Sequence, residues 1–297
     1  MKTRRMSWLA GGSLGALPAA AALLGLPLLP ALAGAQQGQP FVPGCTVPYS
    51  AIQKHQAIDD SCGIKGNAPD SEPAHQAQNA AKNNLCATGA PKAVTFAALA
   101  SLQTEADNKL GTYDRDHLPA DRSSLQQLGE GSVARIVAFV ASAKYSGGTT
   151  GESVGCNLKG NANDDIHVVL MEAKGAVKGA QACPSVTAEV IPHLRPAAWT
   201  DKAIAGAGHP VRITGQLFFD ASHHPCKNGQ PEPSSPSRAS EWEIHPVYSI
   251  EVCKGTTLAA CPVDDDSQWS PLKVAAAKKP KPKPKPKPAA APANPKP

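Results

Sequence analysis

Aromatic residues are scarce, at 4% of the chain, and that scarcity narrows the functions open to it. Proteins that hold single-stranded nucleic acid stack bases on exposed rings and track phosphates with basic side chains. Two strands expected in the body, Asp165–Glu172 and Ser185–Pro192, contain no aromatic residue. Basic charge is missing from the body too. The chain totals +5, but Lys2, Arg4 and Arg5 supply three positive charges and the lysines after residue 277 supply seven, with no acid in either stretch. Residues 36–277 are left at −5. A mildly acidic body lacks the electrostatic footprint that a phosphate backbone requires, so nucleic acid is not an expected partner of the body.

Familiar catalytic patterns are missing as well. There is no G-x-S-x-G elbow, no H-E-x-x-H, no P-loop and no G-x-G-x-x-G opening a helix. No C-x-x-C pair occurs, which argues against a redox centre or a zinc ribbon. Asp264-Asp265-Asp266 starts like a calcium loop but lacks the glycine and ligands that follow in one.

What is present begins with an export signal. Residues 1–35 carry a basic start, then an uncharged Ala/Leu/Gly stretch from Trp8 to Leu32, then A-x-A-like sites at Ala31/Ala33 and Ala33/Ala35. This reads as a signal peptide, by the general or the twin-arginine route, and implies a periplasmic or extracellular protein without a membrane span after cleavage. Pro18, Pro27 and Pro30 interrupt the run and argue against an anchor. Residues 278–297 start Lys278-Lys279-Pro280, alternate Lys and Pro to Pro288, and end in Ala, Pro and Asn with one more Lys. Proline fixes a polyproline II backbone and like charges repel, so this is expected to be an extended, disordered cationic arm. It serves either as a spacer or as a contact for anionic envelope polymer or lipid.

Eight cysteines follow the signal: Cys45, Cys62, Cys86, Cys156, Cys183, Cys226, Cys253 and Cys261. An even number in an exported chain implies disulfides. Short separations favour Cys253–Cys261 and Cys156–Cys183. The stretch 36–128 reads as an irregular, helical, cysteine-containing segment, with helices expected at Ser71–Leu85 (Ser71 as cap, Pro73 in the first turn), Val94–Lys109 and Pro119–Leu128.

From Gly131 the apolar period shortens to two. Strands are expected at Val133–Tyr145, Asp165–Glu172, Ser185–Pro192, Pro210–Asp220 and Glu241–Cys253, with a short helical stretch at 197–207. Five strands with a helix between the third and fourth predict a mainly β fold with some α: an OB-like barrel over 129–256, followed by an extension at 257–277.

Asp164-Asp165-Ile166-His167, Gly215 to His223, and above all Trp242-Glu243-Ile244-His245-Pro246-Val247 resemble segments of a group of uncharacterised exported bacterial proteins. Those proteins are similar to OB-fold modules, so the resemblance implies a fold and a compartment but no activity.

Three strand motifs supply polar side chains that local strand formation does not ask for. His167 stands opposite the apolar face of the second strand. Asp220 and His223 end the fourth, and Glu243 and His245 share one face of the fifth. These five are the candidate ligand-binding residues, with His167, Asp220, His223 and His245 as candidate ligands for a divalent metal. The leading reading is an exported binding module for a glycan, peptide or protein. The alternative is a metal-dependent hydrolase built on the His/Asp cluster.

Overall fold

A computed structural model describes residues 62–272, apart from residues 88, 112–119, 147–149 and 194. The proposed signal peptide, Cys45 and the Lys-Pro arm lie outside the described residues.

Alternating polarity becomes strand where it was expected to. The body contains β2 (Val133–Tyr145), β3 (Ile166–Met171), β4 (Val186–Val190), β5 (Val211–Phe219) and β6 (Trp242–Cys253). They run in the order β2-β3-β4-β6-β5, and β5 pairs back onto β2, so the sheet closes into a five-stranded barrel. β4 and β6 are parallel and the other neighbours antiparallel. The order, the one parallel pair and the helix between β4 and β5 are the OB-like layout. Two short strands were not expected. β1 (Lys92–Ala93) pairs with β2, and β7 (Trp269–Pro271) pairs with β6. At two and three residues, neither is long enough to show a period.

Inward positions build one core. Ile166, Val168 and Leu170 of β3, Ala188 and Val190 of β4, Leu217 and Phe219 of β5, and Trp242 and Ile244 of β6 join a single buried cluster. The Phe219 and Trp242 rings meet edge-on at 5.1 Å, a favoured aromatic geometry. The alternating positions, His167, Glu189, Phe218, Glu243 and His245, therefore face outward.

Among the described residues four α-helices pack on the barrel. α1 (Pro73–Lys82) starts with its proline in the first turn, but Glu72 takes the cap position and makes no capping bond, not Ser71 as the sequence suggested. α2 (Phe96–Leu110) is capped by Thr95, whose side chain accepts a hydrogen bond from the Ala98 amide at 3.1 Å. α3 (Ser123–Gln127) and α4 (Asp201–Ala205) are single turns. Leu99 and Ala106 of α2, Leu125 of α3 and Ile204 of α4 enter the interior cluster.

Disulfides fasten the loops. Cys253–Cys261 forms as its 8-residue separation suggested. The expected Cys156–Cys183 pair does not form. Cys156 bonds Cys62, 94 residues away, and Cys183 bonds Cys226. Closure of the barrel brings the β5–β6 loop to the start of β4, and the N-terminal segment to the β2–β3 loop. Proximity in sequence was the wrong guide. Cys86 is also disulfide-bonded, and no described cysteine is free.

Candidate functional site

Register fixes the site. His167 stands opposite Glu189 across β3–β4, and Ala188 opposite Ile244 across β4–β6, so outward-facing His167, Glu189 and His245 fall in one row. His167 Nε2 lies 3.1 Å from Glu189 Oε1 and 3.4 Å from Glu152 Oε1 of the β2–β3 loop. His245 Nδ1 lies 2.7 Å from Glu189 Oε2 and 3.2 Å from Glu243 Oε1, and its hydrogen bond goes to Glu243. His245 Nε2 is 3.9 Å from Asp165 Oδ2. Two of the expected residues, His167 and His245, thus converge on Glu189, which sequence reasoning did not single out.

Asp220 and Glu243 reach the same network through cations. Lys82, at the end of α1, sits 3.9 Å from Glu189 Oε2 and 3.8 Å from Asp220 Oδ2. Arg238, from the β5–β6 loop, donates to Glu243 Oε2 at 2.8 Å and to the Asp220 carbonyl at 3.1 Å. Gln78 of α1 adds a bond from Nε2 to Asp220 Oδ1 at 3.1 Å. His223 contributes its backbone, whose carbonyl accepts from Arg238 at 2.9 Å.

Electrostatics follow from burial and these partners. Burial opposes a charge on His245, but Glu189 and Glu243 overcome it and push the imidazole up to about 10. His167 behaves alike: burial opposes its charge, and Glu189 and Glu152 raise it to about 9. Burial, reinforced by Glu152, pushes Asp165 up to about 8. Burial disfavours the Asp220 charge, yet Lys82 and Arg238 hold that carboxyl well below its usual range. Burial pulls His223 down to about 4, against the attraction of Asp220. A neutral imidazole at His223 and cationic ones at His167 and His245 are chemically different groups.

Hydrogen bonds tie α1 and the residues just after it to the strands that carry this network. Gln216 of β5 donates to the Ala81 carbonyl at 2.8 Å and to the His245 carbonyl at 2.7 Å. The Tyr248 hydroxyl donates to the Asn84 carbonyl at 2.8 Å and accepts from the Ala87 amide at 3.0 Å. His245, Glu243 and Asp220 are wholly buried. Asp165 Oδ2 and His245 Nε2, which face each other at 3.9 Å, nevertheless make no hydrogen bond. Asp165, Glu189 and His245 offer donor atoms all within 4.8 Å of one another. Of the metal ligands expected from sequence, only His245 belongs to that triplet. Asp220 is committed to Lys82, Gln78 and Arg238.

A separate, open pocket of about 440 Å³ lies between α1 and α3, lined by Ala77, Ala80, Ala81, Arg122, Gln126 and Gln216 among others. Arg122 is not available to a ligand there. It grips Glu130 with two bonds and donates to the Phe219 carbonyl at 2.6 Å.

No family model, curated protein or solved structure matches this chain.

Proposed function

We propose that this is an exported OB-like module that binds a glycan, peptide or protein in the bacterial envelope, with the Lys-Pro arm giving electrostatic attachment to anionic polymer or lipid. The observation that carries this reading is the burial of Asp165, Glu189 and His245 at the centre of the polar row. A hydrolase acting there needs an open position beside its metal or base, whereas Asp165, Glu189 and His245 are buried. Recognition then falls to the open pocket, whose volume of about 440 Å³ lies within the usual range for ligand sites. The loops flanking β3 and β6 are stapled by Cys62–Cys156 and Cys183–Cys226, which lowers the ordering cost of binding. Among the described residues no helix is long and apolar enough to cross a membrane, and the disulfides suit an oxidising compartment.

The test is co-sedimentation with isolated cell-wall polymer and with anionic vesicles, using the oxidised chain, a form lacking residues 278–297, and Ala80→Trp to fill the pocket. Loss of salt-sensitive binding on tail removal, and of residual binding in Ala80→Trp, supports the reading. Unchanged binding in both variants contradicts it.

A second reading is favoured by the donor atoms of Asp165, Glu189 and His245, which all lie within 4.8 Å of one another. A divalent ion of the zinc class held there would take the place of the His245 proton beside the two carboxylates. Glu243, bonded to His245 Nδ1, would orient the imidazole. Buried there, the ion would tie β4 and β6 to the start of β3 in a structural role. Chelator-treated protein titrated with Co²⁺ or Zn²⁺ decides this: stoichiometric uptake lost in Asp165→Asn supports it, and no uptake by the folded chain refutes it.

A further inference from the structure

The sequence Gly151-Glu152-Ser153-Val154-Gly155 matches G-x-S-x-G letter for letter. It is not an elbow between a strand and an α-helix, because Ser153 opens a single 3₁₀ turn in the β2–β3 loop. The pattern alone is therefore uninformative. What α1 brings to it is not. Ser153 Oγ lies 2.9 Å from His75 Nε2, and His75 Nδ1 lies 3.1 Å from Glu72 Oε2. Hydroxyl to Nε2 and Nδ1 to carboxylate are the two contacts that define a nucleophile–base–orienting-acid relay. Glu72 and His75 are three residues apart, so the first turn of α1 puts them on one face. Asn79, one turn further along, donates from Nδ2 to Ser153 Oγ at 3.0 Å.

We propose that Ser153, His75 and Glu72 form a second, surface-accessible site that hydrolyses carboxylic esters by acyl transfer. Ser153 Oγ attacks the ester carbonyl carbon as its proton passes to His75 Nε2. The C–O bond to the alcohol breaks, and the departing oxygen takes that proton. Water then attacks the Ser153 acyl ester, giving a proton to His75. The carboxylic acid leaves and Oγ recovers the proton. Glu72 stays ionised and stabilises the imidazolium. Asn79 Nδ2, which also donates to the Lys65 carbonyl at 3.0 Å, fixes the position of Ser153 Oγ.

Access and rigidity both suit this role. The His75 side chain is 32% exposed and that of Glu72 56%, whereas Asp165, Glu189 and His245 are buried. Cys62–Cys156 ties the segment before α1 to the residue three places after Ser153, and the Asn67 amide donates to the Ser153 carbonyl at 3.0 Å. The helix that carries base and acid is thus fastened to the loop that carries the nucleophile. This site is independent of the ligand pocket, so the two proposals fail separately.

The experiment is labelling of the oxidised chain with a fluorophosphonate, read by mass spectrometry, alongside hydrolysis of p-nitrophenyl acetate. The expected result is one adduct, on Ser153, absent in Ser153→Ala and at least about 1,000-fold slower to form in His75→Ala. Glu72→Gln should slow labelling by less than His75→Ala does, without lowering the melting temperature, because it removes the group that orients the imidazole. All three side chains are partly exposed, so each variant is expected to fold, with melting temperature as the control. A folded wild-type chain that yields no Ser153 adduct overturns the proposal, as does labelling at an unchanged rate in His75→Ala.

Discussion

Lys82 Nζ stands 3.8 Å from Asp220 Oδ2, an ion pair between the end of α1 and the end of β5 in which the aspartate is wholly buried. Removing one partner of a buried pair costs far more than the pair contributes, because the other charge is left uncompensated. Lys82→Met should therefore lower stability by about 3–5 kcal/mol, read as a drop in denaturant midpoint. Lys82→Arg should lose less, because it retains the charge facing Asp220 and Glu189.

The three described bridges differ in what they close. Cys62–Cys156 spans 94 residues and Cys253–Cys261 only 8. In the chain-entropy view a loop near 100 residues contributes up to about 4.7 kcal/mol, and shorter loops less. Replacing Cys62 and Cys156 together by serine should lower the melting temperature more than replacing Cys253 and Cys261. Denatured, unreduced protein should show no free thiol. Several titratable thiols per chain would contradict the disulfide framework.

Gly215 sits where the β5–β6 register shifts. A Cβ there would lie 2.3 Å from the Pro246 carbonyl oxygen and 3.1 Å from the Val247 Cα. Those are backbone atoms, which cannot rotate aside. Gly215→Ala should cost on the order of 3 kcal/mol or more, within the range of overpacked cores, and displace His245, the residue before Pro246. Wild-type stability in this variant would contradict the close approach.

Glu241 carries a pH dependence of definite sign. Burial pushes its carboxyl from 4.5 up to about 7, opposed by the Gln103 hydrogen bond and by Arg238, with Asp220 and Asp107 adding to the rise. His224 Nδ1 faces it at 3.4 Å. The folded state holds this proton more tightly than the unfolded state does. Its contribution is therefore full below pH 4.5 and is lost as the pH rises through 7, by roughly 2–4 kcal/mol. Glu241→Gln mimics the protonated form and should match wild type at pH 4.5 but exceed it at pH 8. A difference that is flat with pH would show that Glu241 titrates normally.

Local signals carried most of the fold into view. Period-two alternation placed all five barrel strands, and Pro73 marked the start of α1. Pairing across the barrel was not legible in the same way. Glu189 looks like an ordinary outward position in Val-Thr-Ala-Glu-Val, and Lys82 like a solvated helix charge. Both acquire their role from strand register, where a slip of one residue would turn Glu189 into the core. Arg238 lies in a Ser/Pro-rich loop without any periodic pattern. The Ser153 relay had a visible half in G-x-S-x-G, but its base and acid lie some 80 residues upstream on a helix whose docking no local pattern records.

The claim on which the rest depends is that α1 is a fixed part of the barrel wall. It brings Lys82 to Glu189 and Asp220 on one side and presents His75 to Ser153 on the other. Native-state hydrogen exchange measures this directly, because local opening and global unfolding give separable rates. The amides of α1 from Gln78 to Lys82 should exchange as slowly as those of β6. Exchange of these α1 amides at unstructured-peptide rates, with β6 still protected, would contradict it.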